Sequence, residues 1–121
     1  MNETCWNSIE KDLNTHLIQN KGKVSQSYIK QPHNVSHLIG HSVHDGDPFR
    51  LYRTEPLKQG MIISNEPGLY GYFELEIDGT LYKEHCGIRI EDNLLVLKDG
   101  SENLSISIEK EISDIENLIN F

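Results

Sequence analysis

Apolar residues fall along this chain in short groups, and their period changes from one end to the other. Trp6, Ile9, Leu13 and Leu17 recur at three- and four-residue spacing, and Asn20-Lys21-Gly22 supplies a stop, so residues 1–21 read as a polar helix. From Val24 to Pro32 no period emerges, and Pro32 presses Gln31 toward an extended conformation. Leu57-Lys58-Gln59-Gly60 reads as a turn into Met61-Ile62-Ile63-Ser64, a short buried strand that delivers Glu66 before Pro67-Gly68 turns the chain. Phe73 to Ile77 alternates apolar and acidic residues, and Asp78-Gly79 is a hairpin turn returning through Thr80-Leu81-Tyr82. Gly87 to Leu97 reads as a second strand region closed by Asp99-Gly100. Ile108, Ile112, Ile115 and Leu118 (or Ile119) then form the apolar stripe of a C-terminal helix. No segment repeats another.

Length and charge narrow this picture. At 121 residues the chain is one domain at most, with 36% hydrophobic and 25% charged residues. A formal charge of −8 argues against nucleic acid or an anionic membrane surface as partner. No apolar run approaches the roughly 18 residues that a membrane span needs. The first twenty residues carry Glu3, Glu10 and Asp12 and no apolar core, so no secretory signal is read and a cytoplasmic location is expected. Cys5 and Cys86 are too few for a disulfide framework and read as reduced thiols.

The chemistry is concentrated in a few positions. Four of the six histidines, His33, His37, His41 and His44, lie in one segment. Their spacing fits a helical stripe, but Asn34, Val35, Ser36, Gly40, Ser42 and Val43 are weak helix formers. A strand and loop is the better reading, with Gly40 as the bend that lets His44 rejoin the others. Two carboxylates follow in Asn65-Glu66-Pro67-Gly68 and Arg89-Ile90-Glu91-Asp92. Imidazole with carboxylate suits first-row divalent metals. His16, His41 and His85 read as surface histidines, Tyr70 as a packing aromatic with lining the site as the alternative, and Glu74 and Glu76 as the solvent face of a hairpin. Asp45, Asp92 and Glu102 read as loop hydrogen-bonding groups.

These motifs, HNVSHLIGHSVHD, LKQGMIISNEPGLY and GIRIEDNLLVLKDGSENLS, in this order, resemble the pita-bread metallopeptidases. Within that family they are most similar to the Xaa-Pro aminopeptidases, with prolidase as a near relative. The resemblance implies an α+β fold, a curved and mostly antiparallel sheet with flanking helices. It makes residues 33–121 the carboxyl-terminal part of the catalytic domain and residues 1–32 a helical lead-in. Carried over by position, His37 and Glu66 are ligands of one metal ion, and Glu91 bridges two. His33 and His44 line the substrate site, steadying the reacting carbonyl or the proline, and Arg89 supports the bridging carboxylate.

The family's chemistry uses two divalent ions, manganese foremost, about 3.5–4 Å apart. A neutral imidazole such as His44 is placed to donate a hydrogen bond to the developing oxyanion. The family also needs two aspartates eleven positions apart, upstream of the histidines. Residues 1–32 hold only Asp12. The expected substrate is a peptide with proline at its second position, and the expected state is a truncated or split enzyme, inactive alone. A separately encoded amino-terminal half or a homo-oligomer would be its partner. A prolidase-like dipeptidase fragment and a non-catalytic peptide- or protein-binding module stand as alternatives.

Overall fold

The computed structural model describes residues 2–19, 23–26, 32–46 and 54–119. Within it the chain divides into two compact units, Met1–Val35 with Glu66–Arg89, and Ser36–Asn65 with Ile90–Phe121. Among the described residues all strand pairing is antiparallel, in line with the mostly antiparallel sheet expected, and it forms two sheets. No helix among the described residues is long and apolar enough to cross a membrane.

The first unit opens with helix α1, Asn2–Gln19, whose first turn carries Glu3 where the helix dipole favours an acid. Trp6 is its buried anchor, Ile9 and Leu13 are partly buried, and Asp12 is exposed. The side chains of His16 and Leu17 lie outside the described residues. Strand β1, Lys23–Gln26, occupies a segment without sequence period and pairs with β4, Gly68–Ile77. Strand β5, Thr80–Arg89, completes the order β1-β4-β5.

The β4–β5 hairpin is set by its turn. Asp78 and Gly79 both take positive φ, 50° and 77°, as a two-residue turn of the primed type requires. Ile77 therefore pairs with Thr80, and the register runs without slip to Gly68–Arg89. One face carries Tyr70 over Gly87, Tyr72 stacked on His85 at 4.0 Å, and Glu74 paired with Lys83 at 2.9 Å. Glu74 is thus not a solvent-facing residue: it is only 9% exposed, held by Lys83, while Glu76 is exposed as expected.

The second unit holds β2, Leu38–Ile39, β3, Ile62–Asn65, β6, Asp92–Leu97, and β7, Gly100–Asn103, in the order β2-β3-β6-β7. Ile63 and Val96 are its buried apolar residues. The expected continuous strand from Gly87 to Leu97 is broken: β5 ends at Arg89, Ile90 and Glu91 are non-strand, and β6 belongs to the other sheet. Gly60, at φ 88°, makes the turn before β3 that its residue type predicts. Helix α2, Ile112–Ile119, bears the C-terminal apolar stripe with no residue buried, and Ile108 lies ahead of it.

Candidate functional site

In the second unit His37 leads into β2, and Ser64 of β3 clamps its peptide. The His37 N–H donates to Ser64 Oγ at 2.9 Å, and the Ser64 N–H donates to the His37 carbonyl at 2.9 Å. Ser64 is fully buried, so this clamp is shielded from water. The ring is oriented as well, because His37 Nδ1 lies 3.1 Å from the Leu38 carbonyl. A carbonyl only accepts, so in the neutral ring Nδ1 carries the proton and Nε2 the lone pair. Ligating histidines are usually held this way, one nitrogen on a backbone carbonyl and the other turned to a metal.

Beyond β2 the chain doubles back. The Gly40 N–H donates to the Ser42 carbonyl at 3.1 Å and the Asp45 N–H to the Leu38 carbonyl at 3.0 Å. Asp45 closes the loop by accepting the His41 N–H at 2.8 Å and the Gly46 N–H at 2.9 Å. Those N–H groups, Gly46 first and His41 second, hold its carboxyl below the usual aspartate range. A side chain on Gly40 would displace the Asp45 carboxylate from these two bonds, so the bend favours glycine. The reversal returns His44 to His37, with ring centroids 4.4 Å apart and planes at 65°. His41 stays exposed and contributes its backbone.

Glu91 is exposed in the link between β5 and β6. The β3–β6 ladder ends at the Asn65–Asp92 pair, so Glu66 and Glu91 are the next residues of those two chain segments. Asp92 itself is structural. Its Oδ1 accepts the Ser105 hydroxyl at 2.8 Å and the Lys110 ammonium at 3.0 Å. Ser105 foremost, then the Asn103 side chain and Lys110, keep the Asp92 carboxyl below its usual range.

The first unit builds a second group. Glu66 is 7% exposed; its N–H donates to the Val35 carbonyl at 2.8 Å, and its Oε2 accepts Arg89 Nη1 at 3.1 Å. Within its own unit the Arg89 guanidinium thus engages Glu66. Arg89 Nε also donates to the Tyr70 hydroxyl at 2.8 Å. His33 Nε2 lies 3.0 Å from the same hydroxyl, and His33 Nδ1 lies 2.8 Å from the Asn34 carbonyl. The His33 ring stands edge-on to Trp6 and Tyr70, with centroids 5.3 and 5.6 Å away.

The structure therefore joins His37 with His44, Glu66 with Arg89, and His33 with Arg89 through Tyr70. Tyr70 is the participant that a packing role does not describe. Its signal was present in the hairpin turn, since a two-residue Asp78-Gly79 loop dictates a Tyr70–Gly87 pair beside a Gly68–Arg89 pair. His85 is exposed, as expected, and stacks on Tyr72. Cys5 and Cys86 are free thiols, both partly buried.

Comparison with known proteins converges on one family. The sequence profile described as Metallopeptidase family M24 matches residues 2–98. The Xaa-Pro aminopeptidase of Haemophilus influenzae is 39% identical over 89 residues, covering 74% of this chain and 20% of that protein. Among solved structures, proline aminopeptidase P II from Yersinia pestis aligns at a TM-score of 0.54 and 37% identity, over 73% of this chain and 20% of that one. Zinc-substituted Escherichia coli aminopeptidase P in complex with product aligns at 0.56 and 32% identity, over 87% and 22%. The chain thus spans about a fifth of the length of the relatives it matches.

Proposed function

Because the chain belongs to metallopeptidase family M24 and its fold is part of the pita-bread domain of aminopeptidase P, we propose that it is the carboxyl-terminal part of an Xaa-Pro aminopeptidase. On this reading residues 33–121 carry that part of the catalytic domain and residues 1–32 lead into it. His37, Glu66 and Glu91 are its metal ligands. The observation that carries the proposal is the preparation of His37: a buried serine fixes its backbone and the Leu38 carbonyl fixes its ring, which makes Nε2 the lone-pair nitrogen suited to a metal. The donor set, one imidazole and two carboxylates, fits a first-row divalent ion such as manganese, cobalt, zinc or iron. When bound, such ions polarise a carbonyl and activate water.

The chain's own residues account for the remaining tasks. Arg89 holds the Glu66 carboxylate in place and balances its charge in a nearly water-free position. His44, beside His37, supplies an N–H for the negative charge that develops on the scissile carbonyl oxygen. His33 lines the substrate side, where a peptide with proline at its second position is accommodated. The two aspartates of the complete site come from an amino-terminal segment, joined to this one or encoded apart, and this 121-residue chain without them is inactive. The reading includes a cytoplasmic location.

Reconstitution tests this directly. The 121-residue chain is co-expressed with an amino-terminal family segment carrying both aspartates, and release of the first residue from an Xaa-Pro peptide is measured. Manganese-dependent release only in the combined preparation, abolished by His37→Ala or Glu91→Ala and little changed by His41→Ala, is the expected result. Robust cleavage by the lone chain, insensitive to Glu91→Ala, would overturn the assignment.

A further inference from the structure

Tyr70 occupies a position that its neighbours have been emptied to make. Its ring lies along the β4–β5 face, where a Cβ on Gly68 or on Gly87 would come within 2.6 Å of ring carbons. Gly87 is its cross-strand partner and Gly68 precedes it by two residues on the same face. Lying over two bare backbones, the ring carries its hydroxyl to the end of the hairpin that holds Arg89, where it also meets His33.

The direction of each hydrogen bond there follows from valence. The Asn34 carbonyl can only accept, so His33 Nδ1 bears the proton. Nε2 of the neutral ring then has a lone pair and accepts the Tyr70 O–H. Arg89 can only donate, so its Nε–H points at the Tyr70 oxygen, and its Nη1–H at Glu66. One hydroxyl thus spends its single proton on His33 and a lone pair on Arg89. Both nitrogens of His33 are engaged, which fixes the ring's orientation and its tautomer together.

We propose that Tyr70 is a positioning residue, whose hydroxyl joins the Asn34 carbonyl in locking the His33 imidazole in its Nδ1–H tautomer and ties it to the Arg89–Glu66 pair. Its relevance to substrate rests on the reading of His33 given above, but the lock itself can be measured on the chain alone. In water an imidazole favours the Nε2–H tautomer, so the locked form is a distinctive signature.

Long-range proton–nitrogen correlation spectra of the labelled chain, taken above the imidazole titration range, report the tautomer of each histidine. His33 is expected to show a protonated Nδ1 and an unprotonated Nε2. In Tyr70→Phe the ring still covers Gly68 and Gly87, but the O–H is gone, and His33, left with the Asn34 carbonyl alone, should gain a measurable Nε2–H share. A purely packing role for Tyr70 would leave the tautomer unmoved. An Nε2–H His33 in the unaltered chain, or an unchanged tautomer in a Tyr70→Phe chain whose β4–β5 amide pattern is intact, would overturn the proposal. Should Tyr70→Phe fail to fold, the unaltered chain decides. Absence of peptidase activity on reconstitution would remove the substrate-side reading of His33 and leave the tautomer result standing.

Discussion

Arg89 reaches back from the end of β5 to place Nη1 3.1 Å from Glu66 Oε2, just ahead of β4. The two differ in exposure, with the Glu66 side chain at 9% and that of Arg89 at 44%. Removing one partner is therefore not equivalent to removing the other. Arg89→Met leaves a buried carboxylate short of a donor and should cost about 1–3 kcal/mol. Glu66→Gln leaves a guanidinium that water can reach, and should cost less than about 1 kcal/mol. Denaturant unfolding in chelator measures both, and equal losses would contradict the asymmetry.

Gly87→Ala should be costly although Gly87 needs no special backbone angle. The new methyl group meets the Tyr70 ring at 2.6 Å, and the ring is backed by its bonds to Arg89 and His33. A loss of about 1–3 kcal/mol is expected from such overpacking. Gly79→Ala, in the exposed turn, meets no atom within 4 Å and pays only for its positive φ. A neutral Gly87→Ala would show that the ring moves aside freely.

Acid should destabilise the second unit through Asp92. Its carboxyl is held low in the folded chain, so its contribution is present above the ordinary aspartate value of about 4 and is lost as pH falls through the lower folded value. Asp45 adds to the same trend with the same sign. Stability measured against pH should fall below about pH 4, and less steeply in Asp92→Asn. Ser105→Ala removes the hydroxyl that serves Asp92 and the Asn93 N–H, and should cost about 1–3 kcal/mol near neutral pH. An Asp92→Asn profile parallel to that of the unaltered chain would refute the linkage.

How much of this was readable from residues depends on whether the determinant is local. The Asp78-Gly79 turn, the buried Ile62–Ser64 strand and the C-terminal helix each follow from a few neighbouring side chains, and each is present. The break at Ile90-Glu91 was not readable, because nothing local distinguishes a strand that ends from one that passes to another sheet. The burial of Glu74 is legible once the turn is placed: the turn fixes Lys83 as its cross-strand partner, and that pairing permits burial. The four-histidine segment is legible as strand and loop with its bend at Gly40, and Asp45 is legible as a loop hydrogen-bonding group, but nothing local says that its bonds return His44 to His37.

Strand β5 ends its sheet among the described residues and is ten residues long, with Leu81, Tyr82 and Ile88 exposed. Ile112, Leu118 and Ile119 add apolar surface on α2. Such an edge and such surface favour association. Sedimentation should show concentration-dependent oligomers, with binding of a hydrophobic dye, and Ile88→Lys should reduce both. A monomer with a sharp cooperative melt and no dye binding would contradict this.

We propose His37, Glu66 and Glu91 as the metal ligands of an incomplete two-metal site. Calorimetric titration of the 121-residue chain with manganese tests it most directly. One weak site is expected, lost in His37→Ala and in Glu66→Gln and weakened in Glu91→Gln, with Asp45→Asn unaffected. Two tight sites, or a single site indifferent to His37→Ala and Glu66→Gln, would contradict it.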